Sequence, residues 1–395
     1  MKKEELIEKL NDRDAEIRLA SLRELMSMID RGELKAPVQG NDVNNHIHTT
    51  FSFSPYSPTK AVWMAYCAGL KTAGIMDHDS LSGAREFIEA GKITGILTTI
   101  GVECRVSMKN TPLADKRINN PDQKGIAYTT IHGIPHQHID EVVAFFKPYV
   151  KARNERNRKM TDRINALTAP YGIRLDFDRD VVPLSEFVHG GSITERHLLF
   201  ALSQKLTERF GKGEAVISFL TKEMGIALPD KIKGYLSDSE NPYYEYDLLG
   251  ALKGNLVEKF YIDADEECPD VRELVAFAAK INAFSAYAYL GDVGDSVTGD
   301  KKTQKFEDDY LDQLFDVIKE LKFKAVTYMP SRNTMEQLRR VRALCEKYGF
   351  FQISGEDINS PRQSFICEAQ RNPEFANLYD STMTLIRHET ENSTA

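Results

Sequence analysis

The stretch Asn45-His46-Ile47-His48-Thr49-Thr50 decides how the rest of this chain is interpreted, because it places two imidazoles two residues apart. Residues i and i+2 of a β-strand point to the same face, so His46 and His48 form a chelating pair if they lie on a strand. An isolated His-x-His pair fits a surface pair, or one core and one exposed histidine, about as well. The segments that follow favour the interpretation of this pair as a chelating pair.

Three later segments bring further imidazoles and carboxylates to the ends of apolar runs. They are Asp77-His78-Asp79, Gly101-Val102-Glu103 and Gly355-Glu356-Asp357. Together with the histidine pair, they form a nitrogen and oxygen donor set of the kind that binds Zn, Mn or Fe. The sequence therefore predicts a divalent metal site that is assembled from distant segments.

Predicted strands and helices alternate from residue 42 onward. The strands are 43–48, 72–76, 97–106 and 127–132, and the helices between them are 58–69 and 83–90. Such alternation predicts a parallel sheet or barrel whose loops, at the carboxyl ends of the strands, carry the chemistry. The metal candidates all lie at predicted strand ends.

Helical patterns replace this alternation between about residues 139 and 269, which predicts an inserted helical domain. Alternation returns from residue 271 to residue 354. Near the N-terminus, residues 3–31 place Leu and Ile at helical spacing and predict a helical hairpin, which could pack against the barrel or form an oligomer contact. The polar tail after Arg371 is expected to be frayed.

Composition limits the classes of function. The net charge is -8, which argues against binding long nucleic acids. Five cysteines without a C-x-x-C spacing are typical of reduced thiols in a cytoplasmic protein. The N-terminus lacks an apolar signal region, and no apolar run reaches the length of a membrane span. The sequence leaves the oligomeric state open.

The ordered series of motifs resembles the PHP (polymerase and histidinol phosphatase) family of metal-dependent phosphoesterases. The resemblance also includes Ile131-His132-Gly133-Ile134 and covers most of residues 41–365. It implies an α/β fold, a distorted (β/α)7 barrel of PHP type with an inserted helical domain and an N-terminal helical hairpin. The resemblance implies an N-terminal helical extension (1–38), the first part of the barrel (39–145), a helical insertion (146–269), the second part of the barrel (270–375) and a tail (376–395).

The resemblance also implies which residues bind metal. His46, His48, Glu103 and Asp357 would hold one ion, and Glu103 would bridge to a second ion that His132 also binds. The expected cofactors are therefore one or two divalent ions, which could be Zn, Mn or Fe.

Other expected ligand positions depart from the family pattern. A third site would keep only His78, because the other two positions read Phe53 and Asn359, and the second site has Tyr289 where a histidine is usual. Tyr289 could bind a metal, donate to a phosphate or be a core tyrosine. Asp292 or Asp295 could replace a lost ligand, although a solvated turn is the favoured interpretation of their loop.

The order of motifs around Thr194-Glu195-Arg196-His197 is similar to the PHP branch that hydrolyses nucleoside monophosphates and short oligonucleotides. In that branch an Arg-His element opens an inserted helix beside the metals, and arginine suits bidentate phosphate recognition. The predicted substrate-binding residues are Arg196, His197, Tyr289 and Asn359. A surface arginine beside a packed histidine is the alternative.

These features lead to one main prediction of function. It is a metal-dependent phosphoesterase that hydrolyses a small phosphorylated substrate, a nucleotide-like phosphomonoester or a short phosphodiester, with a metal-bound hydroxide as nucleophile. His78 or His132 would shuttle the proton of the leaving group. The alternative is a degenerate PHP protein that binds a metal or a phosphorylated ligand without turnover. A nucleic-acid-processing accessory factor and a hydrolase of another bond are further possibilities.

Overall fold

The computed structural model describes residues 2–293 and 305–393, and its centre is a seven-stranded sheet with the strands in chain order. The strands are β1 (Val43–Ile47), β2 (Thr72–His78), β3 (Leu97–Ser107), β4 (Ile126–His132), β5 (Phe284–Ala288), β6 (Ala325–Tyr328) and β7 (Phe351–Ser354). The predicted α/β class is confirmed, and six of the seven strands alternate with helices as expected.

Strand β4 runs against both of its neighbours, while the other adjacent pairs are parallel. The expectation of a wholly parallel sheet is therefore wrong at this strand. The physical reason is the connection from β3 to β4: residues 108–125 form turns and no crossover helix, so the chain re-enters the sheet in the opposite direction.

The sheet is curled, and the chain after β7 returns to its first strand. Ile47 and Ile358 form a parallel bridge, in which the His48 amide donates to the Ile358 carbonyl at 2.9 Å and the Ile358 amide donates to the His46 carbonyl at 3.0 Å. This barrel-like curvature brings the residues after β7 beside His46 of β1 and His48, which directly follows that strand.

Thirteen helices in the described residues surround the sheet. They are α1 (Lys3–Lys9), α2 (Ala15–Asp30), α3 (Pro58–Cys67), α4 (Ala84–Thr94), α5 (Ile139–Thr168), α6 (Glu195–Phe210), α7 (Glu214–Ser218), α8 (Asp230–Ser237), α9 (Tyr244–Phe260), α10 (Val271–Lys280), α11 (Leu311–Glu320), α12 (Met335–Tyr348) and α13 (Ala376–Glu391). No helix within the described ranges combines the length and apolar character needed to cross a membrane.

Local sequence explains where several helices begin. Ser57 caps α3, since its hydroxyl accepts from the Lys60 amide at 3.0 Å, and Pro58 occupies the first helical position. The N-terminal hairpin of α1 and α2 packs against α3 and α4. A buried Arg18–Glu86 ion pair, with Nε to Oε1 at 2.8 Å, fixes this contact.

Helices α5 to α9 have a hydrophobic core of their own, separate from the core beneath the sheet. Its fully buried side chains include Met160, Leu198, Leu202, Leu248 and Phe260. The boundary predicted at residue 146 falls inside α5, so this helical part is continuous with the helix that leaves the sheet.

The expectation of a frayed tail is wrong for residues 376–391, which form α13. This helix buries Leu378 and Leu385 at helical spacing. Buried polar residues interrupt the apolar pattern of this helix, so the sequence does not indicate its buried face. Thr382 accepts from Asn45 Nδ2 at 2.7 Å, and Glu389 accepts from the Ile100 amide at 3.0 Å. A polar side chain can face the interior when its hydrogen bonds are satisfied there.

Candidate metal centre and cavity

Strand register brings the candidate ligands into one layer. His78 at the end of β2 pairs with Glu103, and Glu103 pairs in turn with Thr130 of β4. Glu103 therefore lies within β3. The sequence had predicted a position at the end of a strand. His132 lies two residues after Thr130 on the same face of β4, and it reaches this layer from the opposite direction.

The side chains converge on the Glu103 carboxylate. Glu103 Oε2 lies 3.3 Å from His46 Nε2, 3.5 Å from His48 Nε2 and 3.3 Å from His78 Nδ1. Asp357 Oδ1 lies 3.2 Å from His48 Nε2. The donor atoms of His46, His48 and Glu103 all lie within 4.8 Å of one another, which is compact enough for one ion to contact all three.

Three buried imidazole nitrogens in this layer lack a hydrogen-bond partner among the described residues. They are the Nε2 atoms of His46, His48 and His132. A buried polar atom without a partner costs about 1–3 kcal/mol, so native proteins rarely leave several together without a ligand. Imidazole nitrogens beside carboxylate oxygens are suitable ligands for Zn and similar divalent cations. The donor set therefore fits the predicted metal.

Burial and charge act in opposite directions on the protonation of these groups. Burial lowers the pKa of His78 and of His132 to about 3, so both rings are neutral at pH 7. Burial also disfavours charge on His46 and Glu103, but for Glu103 the neighbouring imidazoles of His78, His46 and His48, and for His46 the carboxylates of Glu103 and Asp357, outweigh it. The pKa of His46 is accordingly raised and the pKa of Glu103 is lowered.

A cavity of about 290 Å³ extends from these groups to helix α9. Its lining includes the metal candidates His46, His78, Glu103 and Asp357, the cations Arg105, Arg153, Arg196 and Lys253, and the phenol rings of Tyr128 and Tyr261. The cavity therefore joins the candidate metal layer to a region that could hold an organic group.

Arg196, the second residue of α6, differs from the other arginines of this cavity. Its Nη1 donates to Asn359 Oδ1 at 2.7 Å, and Asn359 Nδ2 donates to Asp357 Oδ1 at 2.7 Å. Among the described residues, no carboxylate lies within 4.0 Å of its guanidinium nitrogens, whereas Arg105 pairs with Glu267 and Arg153 pairs with Asp79 at 2.8 Å. Arg196 is thus the cavity arginine whose charge remains available to an anion.

Two solved structures share this architecture. One, from Bifidobacterium adolescentis, is assigned as a metal-dependent phosphoesterase; it is 16% identical, with 90% of this chain and 98% of that chain covered and a TM-score of 0.56. The other is an amidohydrolase from Chromobacterium violaceum with bound sulfate and no metal; it is 15% identical, with 83% and 90% covered and a TM-score of 0.53. The fold is shared with these two hydrolases. At such identities the likeness extends to the fold alone, and the sequence matches no protein-family model and no curated protein.

His197, a predicted substrate-binding residue, lies at the start of α6 with its ring 1% exposed. Its Nδ1 accepts from the Thr194 amide at 3.0 Å and so caps the helix. Burial lowers its pKa to about 3. The edge of its ring packs on Phe53 with the centroids 5.0 Å apart. The structure thus gives His197 a helix-capping contact, and its role in substrate binding remains a prediction.

Phe53 and Tyr289 occupy two positions at which the sequence resemblance led to an expectation of metal ligands. Phe53 packs against Phe200 and Tyr246 in an aromatic cluster beside the cavity. Tyr289 lines the cavity, but its hydroxyl donates to Asp308 Oδ1 at 2.6 Å. Both side chains are therefore engaged in packing or hydrogen bonding within the protein.

The loop that follows β5 uses its first aspartate in its own structure. Asp292 Oδ1 accepts from the Phe306 amide at 2.6 Å, which favours the turn interpretation over a role as replacement ligand. Asp295, the other candidate for that role, lies outside the described residues.

Sequence reasoning missed a buried ionic network beside the site. The basic run 151–159 has a composition typical of a solvated helix face, yet Arg153 and Arg156 are buried and paired with carboxylates that include Glu267 and Glu195. The helical spacing of Arg153, Asn157 and Met160, which share the buried face of α5, was the available signal. Arg153 also binds Asp79, the residue directly after His78, so the helical part supports the candidate site.

Proposed function

We propose that this protein is a metal-dependent hydrolase of a small phosphate ester. The observation that carries the proposal is the pair of partnerless imidazole nitrogens, His46 Nε2 and His48 Nε2, which face Glu103 and Asp357 beside the cavity that Arg196 lines. When bound there, a divalent ion supplies Lewis-acid stabilisation of phosphoryl oxygens and activates water. His46, His48, Glu103 and Asp357 would hold that ion.

The remaining side chains have distinct proposed tasks. Arg196 binds a phosphoryl oxygen, since a guanidinium can form two parallel hydrogen bonds to such a group. His78 is neutral, lines the cavity and holds or moves a proton at the leaving-group oxygen. His132 is the further ligand for a second ion, with its Nε2 as the donor atom.

The proposed substrate is a nucleotide-like phosphomonoester or a short phosphodiester. The cavity is larger than a phosphate group requires, and Val257 of α9 and Tyr261 at the end of α9 contribute to its lining, where an organic alcohol group could lie. A cavity of this size suits a small molecule and not a nucleic-acid duplex.

A metal-reloading assay tests the proposal. The purified protein is stripped of metal, reloaded with Mn(II) or Zn(II), and assayed on p-nitrophenyl phosphate, bis-p-nitrophenyl phosphate and nucleoside monophosphates, with amides tested in parallel. We expect metal-dependent phosphate ester hydrolysis that is lost in His48→Ala and retained in His189→Ala, whose exposed ring is paired with Glu186. The proposal fails if the metal-loaded protein hydrolyses no phosphate ester, and amide turnover alone would favour an amidohydrolase.

A second candidate is a non-catalytic protein that binds a metal and a phosphorylated ligand. The contacts of Phe53 and Tyr289 favour it, because both side chains replace potential ligands and are engaged elsewhere. Calorimetric titration of the metal-loaded protein with inorganic phosphate, beside the turnover assay, separates the two. Phosphate binding without turnover of any ester would support this candidate.

A further inference from the structure

We propose that Ser52 and Asp77 form a positioning relay that fixes the tautomer of His48, so that its Nε2 is presented to the metal. The inference rests on the proposed function only for the identity of the ligand, a divalent cation. Neither residue carries a role in the metal site predicted from sequence. The relay links three buried side chains by hydrogen bonds whose donors and acceptors can be assigned.

The assignment begins at Asp77, whose carboxylate is 1% exposed and surrounded by donors. It accepts from the Thr49 amide at 2.6 Å, from Thr49 Oγ1 at 2.5 Å and from Ser52 Oγ at 2.6 Å. Thr49 Oγ1 itself accepts from the Phe51 amide, so its proton is directed to Asp77. Ser52 Oγ is likewise a donor to Asp77 Oδ1, so the single Ser52 proton also faces Asp77.

The same assignment fixes the proton on the imidazole. Ser52 Oγ lies 3.2 Å from His48 Nδ1. Since the single proton of the hydroxyl is directed to Asp77, Ser52 Oγ must accept here and His48 Nδ1 must donate. A neutral imidazole with its proton on Nδ1 carries the lone pair on Nε2. The relay thus selects the tautomer in which Nε2 is the ligand atom.

The surroundings of Nε2 explain why this tautomer indicates a cation. His48 Nε2 is buried, has no hydrogen-bond partner in the described residues, and lies 3.2 Å from Asp357 Oδ1 and 3.5 Å from Glu103 Oε2. A lone pair that faces two carboxylates is repelled by both unless a positive charge lies among them. Metal-binding histidines commonly donate their second ring nitrogen in this way, which fixes the ring orientation.

The backbone places Ser52 for this task. The Ser52 amide donates to the Thr49 carbonyl at 3.0 Å, which turns the chain back towards His48 directly after β1. Ser52 is fully buried, so water does not compete with its contacts. The short turn therefore couples His48, directly after β1, to Asp77 on β2.

Metal affinity in Ser52→Ala, with Ser54→Ala as the matched control, tests the relay. Ser54 is a buried serine of the same loop, and its hydroxyl accepts from the Tyr56 amide at 3.3 Å. We expect Ser52→Ala to bind Zn(II) about 10–100-fold more weakly in chelator competition, the usual effect of removing such a partner. Ser54→Ala should retain wild-type affinity, and thermal unfolding of both metal-free variants checks that they fold.

Long-range ¹H–¹⁵N spectra of the histidine rings give a second readout that a merely structural serine would not affect. In the metal-free wild type, neutral His48 should carry its proton on Nδ1, and Ser52→Ala should populate the Nε2–H form. The wild-type spectrum tests the relay even if the variant does not fold. A wild-type Nε2–H tautomer, or equal Zn(II) affinity in both variants, overturns the relay. A protein that shows the relay but hydrolyses no phosphate ester would refute the proposed function alone.

Discussion

Arg196 of the helical part and Asn359 of the barrel are joined by a hydrogen bond of 2.7 Å between Nη1 and Oδ1. Asn359 Nδ2 in turn donates a hydrogen bond to Asp357 Oδ1. The guanidinium is therefore held beside a candidate metal ligand without contacting that ligand directly. This arrangement separates two effects that experiments can distinguish: binding of the phosphoryl group and binding of the metal.

The first prediction concerns Arg196→Met. Since a hydrogen bond to a charged group contributes about 1.5–3 kcal/mol, this change should lower kcat/KM for phosphate esters by about 10–100-fold while the bound metal is retained. Arg196→Lys should recover only part of the loss, because an ammonium cannot form the bidentate contact. Steady-state kinetics and metal analysis of the same samples provide the measurement.

A control for this experiment is Arg179→Met, since the Arg179 side chain is 78% exposed and pairs with its neighbour Asp180. It should leave kcat/KM and metal content unchanged. Loss of metal in Arg196→Met, or an unchanged kcat/KM, would contradict the proposed phosphate contact.

The second prediction compares His78→Ala with Asp357→Ala. Asp357 belongs to the complete ligand set, so its loss should remove the metal and nearly abolish turnover. His78 is proposed to handle a proton, and its loss should cost about 10²–10⁴-fold in kcat with the metal still bound. Metal content measured beside turnover decides between these roles. If His78→Ala loses its metal as fully as Asp357→Ala does, His78 is a ligand and our assignment is wrong.

The sequence allowed the histidine pair to be predicted as candidate metal ligands, because its two-residue spacing and the length of β1 are local properties. The ionic network was not, because Arg153 and its neighbours lie in a run of charge, and only the packing of α5 against the barrel reveals which arginines are buried. Ser52 was also missed, since its role depends on the position of Asp77 on the adjacent strand. Local pattern therefore predicted the elements and several candidate ligands, while long-range contacts determined the residues that support them.

The third prediction concerns the stability provided by Arg153. Arg153→Met would leave the buried carboxylates of Asp79 and Glu267 without this partner, so we expect the free energy of unfolding to fall by about 3–5 kcal/mol. Arg158→Met on the same helix breaks an exposed ion pair with Asp178 and should cost only about 0–1 kcal/mol. Urea unfolding of both variants measures the difference. Equal losses would show that the buried network contributes no more than an exposed pair.

The last prediction concerns Glu389, whose carboxylate in α13 is 1% exposed and contacts the Ile100 amide and His136 Nε2. Burial raises its pKa from 4.5 to about 7, so the folded state holds this proton more tightly than the unfolded state does. The resulting stability is fully present below pH 4.5 and is lost as the pH rises through about 7. Glu389→Gln keeps the shape but cannot ionise, so its free energy of unfolding relative to wild type should increase between about pH 5 and pH 8. Urea unfolding of both proteins across this range measures the trend, and a difference that does not change with pH would show that Glu389 does not titrate there.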